Sequence, residues 1–266
     1  MNGIISYYDN YDEDSRLSKN NAHKIEFLTT TYFLEKYLHP NSTLLDVAAG
    51  TGAYSFYFAE KGHHVDARDI TPSHVRKMNC KLSEYNGSIY MTAGQGDARD
   101  LSEFDDEHFD MVLCMGPYYH LLDSYDRQKC IDECLRVLKK NGILAIAYIN
   151  KYAIFTHFAH RNKKYLTSSI MDKVINKGYI LSTDEECFWT DAHFTSPTEM
   201  ADFMATFKVE PLHFIGADGI GLILHDSVNN FSQEEFDTWM DYHLKTCTEP
   251  SINGLSIHGL YIGKKK

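Results

Sequence analysis

Residues 44–72 read LLDVAAGTGAYSFYFAEKGHHVDARDITP, and this stretch decides the fold. Leu44, Leu45, Asp46 and Val47 make a short apolar run with one carboxylate in it, the pattern of a buried strand. A turn of small residues follows (Ala48, Ala49, Gly50, Thr51, Gly52), and residues 53–61 then read as a helix. Gly62 stops that helix, and residues 63–68 form a second short strand that closes on Asp69. A strand, a tight turn, a helix and an acidic-ended strand together cradle an adenosine-type cofactor. Gly50 and Gly52 let backbone approach a ligand where a Cβ would collide. Asp69 stands where a carboxylate accepts hydrogen bonds from ribose hydroxyls.

The turn also discriminates between cofactors. A dinucleotide fingerprint needs G-x-G-x-x-G, with a pyrophosphate seated on the following helix N-terminus. Here the string from Gly50 is G-T-G-A-Y-S, so Ser55 occupies the third glycine position. Asp46 stands at the mouth of the turn, where a carboxylate repels a pyrophosphate and suits a ligand with positive charge. Asp-x-x-x-Gly-x-Gly after a first strand resembles motif I of the class I S-adenosylmethionine-dependent methyltransferases. Their cofactor carries an ammonium and a sulfonium but no phosphate. Ala48 departs from the family's usual first glycine by a single methyl.

Outward from this unit, strands and connections alternate. Residues 21–38 read as a helix with Ile25, Leu28, Tyr32, Leu34 and Leu38 on its buried stripe. Pro72 opens a second helix, residues 89–93 form a third strand, and residues 109–115 form a fourth that is nearly all apolar. A helix over 126–139 and a strand over 143–149 bring to five the strands that alternate with helical or loop connections, which predicts a doubly wound, mostly parallel α/β sheet. The rhythm lapses over 151–195, an aromatic stretch expected to be a helical insertion above the carboxyl edge of the sheet. It resumes with Ser196-Pro197-Thr198-Glu199, a helix start, a strand over 209–216, a helix over 232–246 and a last strand over 255–262, for seven strands. The expected organisation is one domain over 1–266. It has an N-terminal helical, tyrosine-rich cap (1–40), a cofactor core (41–150), the insertion as an acceptor lid (151–195) and the C-terminal part of the sheet (196–266).

The resemblance implies roles residue by residue. Ala48, Gly50 and Gly52 would pass under the methionine portion of S-adenosylmethionine, and Asp46 would orient its ammonium. Asp69 would take the ribose hydroxyls, with Ile70 against adenine. Asp97 and the Ala98 backbone would read the adenine edge, and Met115 and Gly116 would line the sulfonium end. Tyr11 and Arg16 fall in an N-terminal tyrosine and acidic segment and are placed on the cofactor side, the Arg16 fork suiting a carboxylate of cofactor or substrate. His120, in the Gly-Pro-Tyr-Tyr-His-Leu loop after strand four, is the candidate general base, with Tyr119 beside it. This loop, the N-terminal segment ending in Arg16-Leu17, and Glu249-Pro250-Ser251 resemble one bacterial branch of the superfamily. That branch implies fold and cofactor but no particular acceptor.

Composition narrows the partners. Hydrophobic content of 43% and charged content of 24% suit a globular enzyme. A net charge of −11 repels polyanions, so nucleic acid is not expected. None of the six cysteines forms a C-x-x-C pair, and Cys130 and Cys134 read as reduced core residues, so no metal is expected. The acidic N-terminus lacks a signal-peptide pattern and no apolar run spans a bilayer, which gives a cytoplasmic expectation. The expected function is methyl transfer from S-adenosylmethionine to an O, N or S atom of a small molecule. A nicotinamide-dependent oxidoreductase and a non-catalytic S-adenosylmethionine-binding module stand as alternatives.

Overall fold

The computed structural model describes residues 2–266. The elements run α1 (Asn2–Asn10), α2 (Asn21–Glu35), β1 (Thr43–Asp46), α3 (Ala53–Glu60), β2 (His64–Asp69), α4 (Pro72–Glu84), β3 (Met91–Gln95) and β4 (Phe109–Cys114). Then follow α5 (Pro117–His120), α6 (Ser124–Val137), β5 (Leu138–Asn150), α7 (Lys151–Arg161), α8 (Ser168–Met171), β6 (Tyr179–Ile180) and β7 (Ala192–Thr195). The chain closes with α9 (Pro197–Met204), β8 (Val209–Gly216), α10 (His225–Asn229), α11 (Gln233–Thr246), α12 (Pro250–Asn253) and β9 (His258–Lys265).

The main sheet has the order β3-β2-β1-β4-β5-β9-β8. Pairing is parallel from β3 through β5, and β9 runs antiparallel between β5 and β8. This is the expected mostly parallel, doubly wound sheet. Its residues alternate between two apolar layers. Leu44, Met111, Leu113, Ile143 and Ala145 face one cluster, whereas Leu45, Val112, Cys114, Leu144 and Ile146 face the other. Strands covered on both faces must be apolar at every position, which is why they read as unbroken apolar runs. Strand order reverses at β1 and β4, so the carboxyl ends of those strands flank the crevice where open α/β sheets bind ligands.

Local chemistry sets the helix starts. Ser196 with Glu199 and Ser232 with Glu235 each form a reciprocal capping box. Asn20, Asp123 and Asn150 accept backbone N–H groups at the starts of α2, α6 and α7. Gly52 caps α3 at φ 91, and a Cβ there would lie 2.8 Å from the Phe56 ring. This glycine is thus required by both backbone angle and space.

Two features differ from the expectations. Residues 2–10 form a helix, although their polar, tyrosine-rich composition gave no apolar stripe. The stretch 151–195 is helical only as far as Lys177 and then makes the β6/β7 hairpin, whose β7 pairs in parallel with the last two residues of β5. A third apolar cluster, built from α7, β7, the C-terminal helices and the start of α2, covers this edge. Among the described residues no helix is long and apolar enough to cross a membrane.

Candidate active site

A cavity of about 430 Å³ opens at the carboxyl ends of β1, β2 and β4, within the range of small-molecule sites. The backbone and side chains of Asp46, Ala48, Gly50, Asp69, Ile70, Asp97, Ala98, Met115 and Gly116 line it. Thus all of the expected cofactor residues of the sheet edge are brought together except Gly52, which stands behind the turn as the cap of α3. Tyr11, Arg16, Tyr119 and His120 line the same cavity.

Asp46 is 1% exposed. Its Oδ2 accepts the Ser55 hydroxyl at 2.8 Å, so the residue at the would-be third glycine position holds this carboxylate in place. Its Oδ1 is buried and has no hydrogen-bond partner among the described residues. Burial, opposed by the Ser55 hydroxyl and the Ala48 backbone N–H and reinforced by the Asp69 charge, pushes the Asp46 carboxyl up to about 7. Asp69 is buried too. Its Oδ2 accepts the Gly50 N–H and its Oδ1 accepts the Thr71 N–H, each at 2.8 Å. A carboxylate has lone pairs for further donors, so Asp69 both fixes the turn and keeps capacity for a ligand hydroxyl. His74, 3% exposed, places Nδ1 3.4 Å from Asp69 Oδ1, and neither ring nitrogen has a hydrogen bond among the described residues. A Cβ on Gly116 would lie 3.4 Å from the Ala48 methyl, ordinary van der Waals contact, so these two small residues face each other across the crevice. Asp97 is gripped by the Arg99 backbone N–H and guanidinium. Burial works against its ionisation, but the Arg99 hydrogen bonds prevail and hold the carboxyl low.

An ion-pair chain crosses the cavity. Arg16 donates to Glu13 at 2.9 Å and to Glu26 at 2.8 Å. Glu26 lies 3.5 Å from His258 Nδ1, and His258 Nδ1 lies 2.7 Å from Asp218 Oδ2. Glu13 in turn stands against Gly50, 3.2 Å from where its Cβ would be. Sequence reasoning placed Arg16 here but missed Glu13, Glu26, Asp218, His258 and His74. The available signals were weak: a charged residue beside buried Ile25 on α2, and a histidine opening the last strand.

His120, the candidate base, has both ring nitrogens engaged. Nδ1 is 2.9 Å from the Asp191 carbonyl, which can only accept, so Nδ1 carries the hydrogen and Nε2 accepts the Tyr8 hydroxyl at 2.9 Å. Burial pulls His120 down to about 4 against the opposing Asp191 carbonyl. The Tyr119 hydroxyl donates to the Met115 carbonyl at 2.8 Å, and its ring packs on Trp189 and His120. The Cys114, Cys130 and Cys134 sulfurs lie within 4.8 Å of one another, buried behind β4. Cys114 joins the pair expected from the sequence, and none of the three lines the cavity.

Residues 44–142 match the family model of a methyltransferase domain. Over these residues the chain is similar to the class I S-adenosylmethionine-dependent methyltransferases, and its fold is theirs. The glycine/sarcosine N-methyltransferase of Parasynechococcus marenigrum is 34% identical over 42% of this chain and 39% of its own length. The ubiquinone biosynthesis O-methyltransferase of Hahella chejuensis is 25% identical over 71% of each chain. In structure, a methyltransferase from Methanosarcina mazei superposes with a TM-score of 0.59 at 21% identity, covering 88% of this chain and 96% of that one. The PH0226 protein of Pyrococcus horikoshii gives 0.60 at 17% identity over 98% and 99% of the two chains. The matches span 39%, 22% and 45% of the lengths of the first three curated relatives. The methyltransferase family uses S-adenosylmethionine, and the buried, partnerless Oδ1 of Asp46 beside a turn of small residues fits that cofactor's ammonium.

Proposed function

We propose that this chain transfers a methyl group to a small molecule. The observation that carries the reading is Asp46: a buried carboxylate whose Oδ1 makes no hydrogen bond among the described residues, at the mouth of a glycine turn that Asp69 clamps from the next strand. A buried orphan acceptor costs the fold stability, and a cationic ligand removes that cost. S-adenosylmethionine supplies the activated methyl on its sulfonium, so the protein's contribution is position and electrostatics. Gly50 and Ala48 give backbone room, and Asp69 and His74 offer hydrogen-bonding groups to a ribose. Ile70, Asp97 and Ala98 line the adenine end, and Met115 and Gly116 the methyl end. Tyr11 and Arg16 close the methionine end from the N-terminal cap.

Both N-terminal cap and insertion contribute to the cavity. Tyr8, Tyr11 and Arg16 line it from residues 1–40, and Ile154, Phe158 and Trp189 line it from 151–195. This supports the insertion as an acceptor lid and a small, partly apolar acceptor. Tyr119 supplies an aromatic wall. His120, whose Nε2 holds the Tyr8 hydroxyl, anchors α1 over the cavity, and proton exchange at that nitrogen would pass through Tyr8. The curated relatives include both N- and O-methyltransferases, which supports a small acceptor without selecting its atom.

The test is transfer of label from methyl-tritiated S-adenosylmethionine into a deproteinised small-metabolite extract. Label in a low-molecular-weight product, with stoichiometric S-adenosylhomocysteine, is the expected result. Binding of the cofactor without any transfer would favour the sensing module.

A further inference from the structure

The proton lost by the acceptor has a better destination than His120. His258 opens β9 and pairs with Ile149 in the sheet register, which puts it beside the carboxyl end of β5. Its Nδ1 is 2.7 Å from Oδ2 of Asp218, a carboxylate only 1% exposed. Asp218 is itself fixed by the Ser256 hydroxyl and by the Ile257 and His258 backbone N–H groups, the latter two at 3.0 and 3.3 Å from its Oδ1. A carboxylate so surrounded accepts from every neighbour, so Nδ1 of His258 carries the hydrogen. The basic nitrogen of the neutral ring is then Nε2, which makes no hydrogen bond among the described residues and belongs to a side chain lining the cavity. Ile149, Ile154, Leu222 and Ile257 line the same cavity.

We propose that His258, oriented by Asp218, accepts the proton that a hydroxyl, thiol or amine acceptor loses on methylation. This rests on the methyl-transfer reading and makes the acceptor one that carries an exchangeable hydrogen on the methylated atom. The acceptor's lone pair forms the bond to the methyl carbon, and the methyl–sulfur bond breaks with its electrons left on sulfur. The acceptor's X–H proton passes to His258 Nε2, giving an imidazolium whose Nδ1–H stays on Asp218. One positive charge thus leaves the sulfonium and one appears on the imidazole, so the buried site keeps its net charge.

The groups facing His258 set its proton affinity. Glu26 of α2 and Asp218 of the β8–β9 connection are the carboxylates, Arg16 sits beyond Glu26, and His157 of α7 and His23 of α2 complete the set. Burial lowers the imidazole, but Glu26 and Asp218 outweigh it and raise it above its ordinary 6.5. A base must be unprotonated to act, so kcat/KM rises with pH through that raised value.

The experiment compares wild type, His258→Gln and Asp218→Asn by methyl-tritium transfer into the small-metabolite extract. S-adenosylhomocysteine calorimetry and thermal melting run in parallel. His258→Gln is expected to bind S-adenosylhomocysteine within about twofold of wild type and to transfer label roughly 10²–10⁴-fold more slowly, the range for loss of a positioned general base. Asp218→Asn is expected to retain part of the rate, with the acidic limb of its kcat/KM profile moved to lower pH because a partner that raises the imidazole is gone. Wild-type transfer by a folded His258→Gln overturns the role of His258 and leaves the methyl-transfer reading intact. A wild-type protein that transfers label to nothing overturns both. Should His258→Gln not fold, long-range proton–nitrogen NMR of the wild-type imidazoles decides. An Nδ1–H tautomer titrating above 6.5 supports the proposal, and an Nε2–H tautomer or a lower value overturns it.

Discussion

Asp46→Asn is expected to weaken S-adenosylhomocysteine binding about a hundredfold while raising the melting temperature of the ligand-free protein by several degrees. The two effects share one cause. The carboxylate is buried with Oδ1 unsatisfied, and its carboxyl sits at about 7 instead of the ordinary 3.8. Folding therefore opposes its ionisation, so stability falls as pH rises from the unfolded value toward the folded one. Asparagine keeps the shape and the Ser55 contact without a buried charge. It also removes a charge-assisted hydrogen bond to the ligand's ammonium, on the order of 2–3 kcal/mol, and about 1.4 kcal/mol is one decade of affinity. The wild-type affinity should itself rise about tenfold between pH 6 and pH 8, because only the ionised carboxylate meets an ammonium, and Asp46→Asn should abolish that slope. Calorimetry across this range, with melting curves alongside, checks all three. A variant that binds as wild type does would remove Asp46 from the ligand's contacts.

Arg16→Ala carries the second large effect. Arg16 joins Glu13 to Glu26, with side-chain exposures of 22%, 16% and 13% in that order. Burial alone would raise the Glu26 carboxyl, but Arg16 and His258 hold it below its usual range. Removing the guanidinium strands one carboxylate and leaves the other with only the His258 ring at 3.5 Å. Breaking a buried pair from one side costs about 3–5 kcal/mol, which for a chain of this size lowers the melting temperature by roughly 10 °C. Arg16→Ala/Glu26→Gln should recover a good part of that loss, since the uncompensated charge is gone. It should not recover ligand affinity if the arginine also clamps the ligand's carboxylate. Thermal unfolding of the single and double variants separates the two roles. A single variant that melts with the wild type would show the pair to be energetically idle.

The sheet was legible in the sequence because each strand covered on both faces is an apolar run bounded by turn residues. Leu44 and Leu45 point into different layers, yet both must be apolar. The β6/β7 hairpin was not legible, since Tyr179–Ile180 is too short to show any period. Helix α1 escaped notice because its polar residues hide the few positions that pack inward, such as Ile4. In the site, residues of the Gly50 turn could be named in advance because backbone geometry ties them to one stretch of chain. The Glu13–Arg16–Glu26–His258–Asp218 network could not, because it joins side chains from both ends of the sequence through the fold alone. His120 shows the same limit. Its loop placed it at the end of β4, but only the fold reveals that Tyr8 and Asp191 take both of its ring nitrogens.

Parallel titration of the wild-type protein with S-adenosylhomocysteine and with NAD at neutral pH is the most direct test of what the Ala48–Gly52 turn holds. Saturable binding of S-adenosylhomocysteine, with an increase in melting temperature and no response to NAD, is the expected result. Binding of NAD with no response to S-adenosylhomocysteine would contradict it.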